Sequence, residues 1–415
     1  MSNLTRPPVA QMDLFSSVLH AYAGTSNGVL DNKTLYETAA SALGLSDRDV
    51  HAKAPIGKSG ALHSPFKRQV RWYQQTLKGS GILERVDGEH GIWQLTKPAS
   101  KDLNQISNNV SVVGFSTDLG IAILGYCETV FQRMDVPITL VLTSPPYPLS
   151  TPRAYGNVPL KAYVAWICKT LEPLVKNLAP GGSICLNVSN DIFLPGMPAR
   201  STYVERLVIA LEDELGLYKM DTLIWENKSK PPGPIRYASI DRTQLNVVYE
   251  PILWFTNNPL LVKSDNRRVL EAHSQRHLDL IAGGGEQREG SFSDGAYTVK
   301  PGRYANPTEG RIPRNILSFG HRCAEQTAYK KAARAMGLPA HGAPMPLKLA
   351  KFLINLLTVP GEVVAEPFGG SMTTASAAEQ LGRRWIASEC VVEYVMGGST
   401  RFVHRPGYQN FLLAA

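Results

Sequence analysis

The chain has 415 residues, 43% of them hydrophobic and 19% charged, a composition that supports a packed core and excludes a disordered chain. Its formal net charge of +8 suits a polyanionic partner without identifying one. The five cysteines (Cys127, Cys168, Cys185, Cys323, Cys390) are scattered and form no C-x-x-C pair, which excludes a disulfide framework or zinc ribbon and predicts a reducing compartment.

From the N-terminus, MSNLTRPPVAQMD lacks a basic-then-apolar leader, and no apolar run approaches the ~20 residues of a membrane helix, so a soluble, cytoplasmic, nucleoid-associated protein is expected. Leu14, Val18, Leu19 and Tyr22 recur at helical spacing, and residues 34–43 and 67–78 predict two further helices. Residues 82–85 and 92–95 flank the turn pair Asp87-Gly88 as a hairpin. Three helices and a hairpin are a winged-helix pattern. Between Lys53 and Lys78 stand six basic residues (Lys53, Lys58, Lys67, Arg68, Arg71, Lys78) and no acid, with Trp72 and Tyr73 among them. That stretch predicts a helix laid against phosphates or a solvated basic helix with aromatic core contacts. The segment SPFKRQVRWYQQTLKGSGILER and the element order resemble the N-terminal domain of Mrr-like restriction proteins over residues 10–98.

Lys97-Pro98-Ala99-Ser100 reads as a linker, after which strands and helices alternate. Residues 138–142 and 184–188 predict strands, and Val164, Ile167, Leu171, Leu174, Val175 and Leu178 share a helical face that Pro180-Gly181-Gly182 ends. The cadence returns in a helix over 352–357, a strand over 363–366, a helix after Ser371 and a strand over 385–387, which predicts an open α/β sheet. Residues 256–340 lack periodicity and carry 13 Lys plus Arg against 8 Asp plus Glu, a local net of +5, as a functional insertion or small irregular domain would. The expected division is 1–98 winged helix, 99–255 catalytic region, 256–340 target recognition and 341–415 cofactor region.

Two motifs fall at strand ends, where an open α/β sheet binds its ligands. Thr143-Ser144-Pro145-Pro146-Tyr147 follows the strand 138–142. Two prolines hold the chain extended and leave its carbonyls as fixed acceptors, although alone they fit a simple turn equally well. The amino nitrogen of cytosine or adenine is a poor nucleophile because its lone pair is delocalised into the ring. The Pro145 carbonyl and the Ser144 hydroxyl, accepting its two protons, would free that lone pair, and the ring of Tyr147 would stack on the base. Such a base must be flipped out of duplex DNA. The second motif is Glu366-Pro367-Phe368-Gly369-Gly370-Ser371-Met372-Thr373-Thr374, between a strand and a helix whose unpaired N–H groups would attract a carboxylate such as that of methionine. Glu389 ends the next strand, the position of a carboxylate for ribose hydroxyls.

Residues 110–400 resemble the β-group amino methyltransferases, through LTSPPYPL, YGN at Tyr155 to Asn157, APGGSICLNV, WENKSKPPGPI, LLTVPGEVVAEPFGGSMTT and RRWIASE. The resemblance implies a Rossmann-like sheet with permuted motif order and S-adenosyl-L-methionine as cofactor. It makes Ser144, Pro145, Pro146 and Tyr147 catalytic, and Thr143, Glu366, Phe368, Gly369, Gly370, Ser371, Thr373 and Glu389 cofactor-binding. Asp118, in FSTDLGIAIL, falls where the family has an acid near the cofactor adenine, or caps a helix. Glu366 is one methylene longer than the family's usual Asp and would act through a water. Asn187 stands where some relatives have a carboxylate for the amino proton, and His341 retains part of a cofactor-side segment or is structural.

The S-P-P-Y form is typical of cytosine-N4 enzymes and so favours cytosine in double-stranded DNA, with adenine-N6 as the alternative. Cytosine-C5 chemistry needs a nucleophilic cysteine, and none of the five follows a proline. A regulator that binds cofactor without turnover is the reading of another class. The assigned regions leave no room for a fused nuclease, whereas a separate cognate restriction endonuclease and the oligomeric state stay open. Arg267, Arg268, Arg311 and Arg314 are candidate DNA contacts.

Overall fold

The computed structural model describes residues 18, 21, 22, 25, 29–56, 61–79, 83–86, 89, 91–95, 103, 105, 106, 110–149, 153, 155, 156, 158–227, 236–320 and 322–412. Leu14, Leu19, Lys58, Ile82, the turn at 87–88, the linker at 97–100, Asn157 and residues 228–235 lie outside them. The chain divides into two compact units, one of residues 1–103 with 334–340 and one of residues 104–333 with 341–415.

In the first unit, helices Asn32–Ala42, Asp47–His51 and Pro65–Gly79 accompany a three-stranded antiparallel sheet of Val29–Asp31, Ile92–Leu95 and Leu83–Arg85, in that order. This is a winged-helix arrangement. Asp31 caps the first helix by accepting from the N–H groups of Lys33 and Thr34. Ser64 does the same for the basic helix through the Lys67 N–H, with Pro65 at its first position. Tyr22, Leu35, Val70, Tyr73, Leu83 and Trp93 form the core. Of the two aromatic residues in the basic helix, Tyr73 is core and Trp72 is exposed, beside exposed Arg68 one turn away.

The second unit is built on strands β1 (Ser111–Ser116), β2 (Gly120–Gly125), β3 (Ile138–Thr143), β4 (Leu178–Asn187), β5 (Tyr218–Glu226), β6 (Tyr249–Thr256), β7 (Ile316–Ser318), β8 (Val363–Glu366), β9 (Arg384–Glu389) and β10 (Gln409–Asn410). They make one sheet in the order β7-β5-β6-β4-β3-β8-β9-β2-β1-β10. The central strands β4, β3, β8, β9 and β2 are mutually parallel, and β6 and β1 join them antiparallel.

Every residue of β3 and of β8 is buried, as expected for central parallel strands covered on both faces. Helices α1 (Cys127–Gln132), α2 (Leu160–Lys176) and α3 (Tyr203–Asp213) cover one face, where Phe131, Tyr163, Leu171 and Leu207 meet Val141. Helices α4 (Leu347–Leu357), α5 (Thr373–Gln380) and α6 (Val392–Ser399) cover the other, where Leu353, Ala377 and Val395 meet Leu140 and Leu142. The predicted stop at Pro180-Gly181-Gly182 lies instead inside β4, because α2 already ends at Lys176. Gly181 takes φ +73° there, and a side chain would overlap the Leu261 backbone.

Residues 256–340 hold helix Gln275–Ala282, the hairpin Gly290–Phe292 with Tyr297–Val299, and β7, which extends the sheet edge by pairing parallel to β5. Among the described residues no helix is long and apolar enough to cross a membrane.

Candidate active site

A cavity of about 450 Å³ opens at the carboxyl ends of the parallel strands. Ser144, Pro145, Pro146 and Tyr147 leave β3 into it, and Glu366, Phe368, Gly369, Gly370, Ser371, Thr373 and Glu389 line the same space from β8, β9 and the start of α5. The two sequence-predicted groups are thus brought together, since β3, β8 and β9 are parallel neighbours and deliver their ends to one edge.

On the β3 side, Tyr147 extends its hydroxyl into a polar cluster. Its Oη donates to Glu250 Oε2 at 2.8 Å and lies 3.0 Å from Ser144 Oγ. Asn187 Nδ2 donates to Tyr147 Oη and to Glu250 Oε2, each at 2.8 Å, and lies 3.5 Å from Ser144 Oγ. Asn187 is the last residue of β4 and is only 2% exposed, with its Oδ1 buried and unpartnered among the described residues. Glu250 comes from the start of antiparallel β6, which the pairing of Ile252 with Asn187 places beside the end of β4. Burial, then the Glu250 carboxylate, hold the Tyr147 phenol well above its ordinary range, so it stays protonated.

On the β8 side, the Glu366 carboxylate accepts from the Thr374 and Ala375 N–H groups at 3.2 and 3.0 Å. This corrects one expectation: Glu366 caps α5, so two of the N–H groups predicted to await a ligand carboxylate are already paired with it. Its burial, opposed by those N–H groups, raises its carboxyl to about 8. Glu389 accepts from the Gly370 N–H at 2.7 Å and the Val391 N–H at 2.9 Å, which ties the glycine loop to the tip of β9. Gly370 has φ +47°, and a Cβ there would sit 3.2 Å from His341 Nε2. His341 itself stacks on Tyr155 with ring centroids 5.6 Å apart and meets Tyr394 edge-on. Burial lowers its imidazole to about 4, so it is neutral, and its Nδ1 is buried and unpartnered among the described residues.

Phe368 and Trp166, with centroids 5.4 Å apart, form an aromatic wall of the cavity. Trp166, Glu250, Gln105, Tyr126 and Glu128 also line it and were missed in the sequence. Trp166 was hidden inside an amphipathic helix pattern, and nothing around Glu250 distinguishes it from an ordinary strand-end acid.

Two predicted residues are placed elsewhere. Asp118 lies in the turn of the β1–β2 hairpin, exposed, with its N–H donating to the Pro406 carbonyl. Because β2 begins there and runs parallel to β9, Asp118 is at the amino end of the sheet, opposite the cavity, and caps no helix. The carboxyl end of β2 delivers Gly125, Tyr126, Cys127 and Glu128 to the cavity instead. Thr143 is fully buried at the end of β3 and does not line the cavity. Of the candidate DNA contacts, Arg268 donates to the backbone carbonyls of Thr358 and Lys263, while Arg267 and Arg311 pair with Asp265 and Glu271. Cys127 and Cys390 line the cavity, but burial pushes Cys390 up to about 12 and Cys127 well above its ordinary value, so neither is a thiolate nucleophile.

Comparison with known proteins agrees with this geometry. Residues 138–397 match the DNA methylase family and residues 12–105 the Mrr N-terminal domain. The type II methyltransferase M.PvuII of Proteus hauseri is 33% identical over 277 residues, which span 65% of this chain and 79% of that protein. M.BamHI of Bacillus amyloliquefaciens is 24% identical over 284 residues, 66% of this chain and 55% of its own length. The solved PvuII DNA methyltransferase, described as cytosine-N4-specific, superposes with a TM-score of 0.54 at 29% identity, covering 69% of this chain and 88% of that one. With well over half its residues matched and both motifs delivered to one cavity, the chain belongs to the DNA methylase family.

Proposed function

We propose that this methyltransferase moves a methyl group from S-adenosyl-L-methionine to the N4 amino group of a cytosine flipped out of duplex DNA. The observation that carries this reading is the single cavity in which the Ser144-Pro145 acceptors face the Glu366–Thr374 loop and Glu389. The residues fit the cofactor. Phe368 and Trp166 offer a wall for adenine, and Glu389, whose oxygens keep lone pairs beyond the two N–H groups they accept, offers acceptors for the ribose hydroxyls. Glu366 and the residues around Gly370 form the end suited to the methionine part. When bound, the cofactor supplies an electrophilic methyl on a sulfonium.

The protein's share is positioning. Ser144 Oγ and the Pro145 carbonyl accept the two amino protons, turning the nitrogen lone pair toward the methyl. Pro145-Pro146 keep the acceptors fixed. The serine at 144 supports cytosine over adenine, as does the cytosine-N4 specificity named for the PvuII enzyme. Residues 256–340 are assigned to target recognition; their hairpin displays the stacked, exposed pair Phe292 and Tyr297, 5.4 Å apart. Residues 1–98 add a second DNA contact, 99–255 carry the catalytic motif and 341–415 complete the cofactor site. Kinship with type II enzymes supports a restriction–modification setting with a separate cognate endonuclease.

The test is mass spectrometry of nucleosides from unmethylated DNA incubated with the protein and labelled S-adenosyl-L-methionine. Labelled N4-methylcytosine is expected. N6-methyladenine would keep the acceptor chemistry and overturn the base, and cofactor binding without any labelled base would replace the enzyme by a regulator.

A further inference from the structure

Methyl transfer to an amine releases a proton, and the end of β4 holds a neutral amide, Asn187, beside the transfer site. The hydrogen-bond directions around it show where a proton can go. Asn187 Nδ2 can only donate, and an ionised carboxylate can only accept, so Glu250 Oε2 receives both the Asn187 N–H and the Tyr147 O–H. Tyr147 has one proton and has committed it, so its oxygen accepts from Ser144 at 3.0 Å as well as from Asn187 at 2.8 Å. The Ser144 proton therefore points along the cluster toward Tyr147, and with Asn187 Nδ2 making a long contact to Oγ at 3.5 Å, a lone pair of Ser144 is left for an incoming N–H.

We infer that Glu250 is the terminal proton acceptor of the methyl transfer, reached through Ser144 and Tyr147; this rests on the proposed amine acceptor role of Ser144. As the N–C bond forms and the S–C bond breaks, the positive charge passes to the amino nitrogen. That nitrogen gives one proton to Ser144 Oγ, Ser144 gives its own to Tyr147 Oη, and Tyr147 gives its own to Glu250 Oε2. The products are the neutral methylamino base, the neutral thioether, unchanged Ser144 and Tyr147, and a carboxylic acid at Glu250. Glu250 is half-buried, so it can return the proton to water once the base has left. The fold thus supplies from β6 the charge that Asn187 lacks, and Asn187 orients that charge by donating to it. Glu250 is a positioning and proton-accepting residue that acts through its neighbours, and it needs no contact with the base.

The experiment uses the full chain, unmethylated phage DNA and tritium-labelled S-adenosyl-L-methionine in single-turnover and steady-state assays. Glu250→Gln keeps the size of the side chain and removes its charge. It is expected to slow turnover about 100-fold, the usual scale of general-base loss, with the KM values for DNA and cofactor unchanged. Tyr147→Phe breaks the middle link and should cost a similar factor, and the double variant should be no slower than the slower single one, because the groups act as a unit. Adding Asn187→Asp to Glu250→Gln returns a carboxylate within reach of Ser144 and Tyr147 and is expected to recover about tenfold. A Glu250 that merely braced β6 would not be rescued from β4, so absence of rescue overturns the relay. Turnover within threefold of wild type in Glu250→Gln overturns it too; if that variant does not fold, wild-type turnover in Tyr147→Phe does the same. If Ser144→Ala is also fully active, the acceptor reading itself fails. An inactive Ser144→Ala beside an active Glu250→Gln removes only the relay.

Discussion

Ser144 and Glu389 line one cavity from different strands, and their substitution should separate two quantities. Ser144→Ala removes an acceptor needed as charge develops on the amine, so turnover should fall about 100- to 1,000-fold with cofactor affinity within a factor of two. Glu389→Ala removes the carboxylate that also holds the Gly370 and Val391 N–H groups. The lost charge-assisted hydrogen bonds, about 1.5–3 kcal/mol each, should weaken cofactor binding more than tenfold. Isothermal titration with the cofactor and single-turnover assays check both. Equal loss of cofactor affinity in the two variants would contradict the division of roles.

At the scale of elements, the joint between β8 and α5 makes the cofactor side sensitive to pH. Glu366 ends a buried strand and caps the helix that follows, so its carboxyl is forced into a dry site where the neutral form is favoured. Its folded value of about 8 lies above the ordinary 4.5. Between those limits the native protein keeps a proton that the unfolded chain has lost, so this contribution to stability is complete below pH ~4.5 and is lost as pH rises toward 8. The slope is at most about 1.4 kcal/mol per pH unit. Thermal unfolding of the cofactor-free protein should show a shallower fall over this window in Glu366→Gln than in wild type. The same slope in both would mean that the helix N–H groups keep Glu366 ionised. The antiparallel addition of β6 beside β4 is the other element-scale decision. It sets Glu250 next to Asn187, residues 63 positions apart in the chain.

For the whole molecule, the basic winged-helix unit and the methylase unit are expected to share the duplex. The helix Pro65–Gly79 presents Arg68 and Trp72 to solvent, whereas Tyr36 is covered by Arg71, which donates to its hydroxyl, and by Lys67 over its ring. Deleting residues 1–98 should lower DNA affinity and flatten its dependence on salt, by about 0.9 in log–log slope for each DNA phosphate that the shortened protein leaves unneutralised. Filter binding across a salt series, with and without the deletion, measures this. An unchanged affinity and slope would assign the unit to a protein partner or a structural role.

Contiguous chemistry was legible in the residues themselves. Ser144-Pro145-Pro146-Tyr147 and Glu366–Thr374 carry their backbone constraints within a few positions, and the alternation of apolar runs determined the α/β sheet that gathers their ends. What the sequence could not decide was which distant residues share that edge. Asp118 is implied as a cofactor acid by its place in the family resemblance, yet the β1–β2 hairpin turns it to the far end of the sheet. Glu250 carries no distinguishing motif around it, yet antiparallel pairing brings its carboxylate to Tyr147 and Asn187. Local motifs are set by bond geometry and side-chain chemistry within a few residues, while strand order and direction are set by burial of the whole sheet between its helices, and only the tertiary structure resolves them.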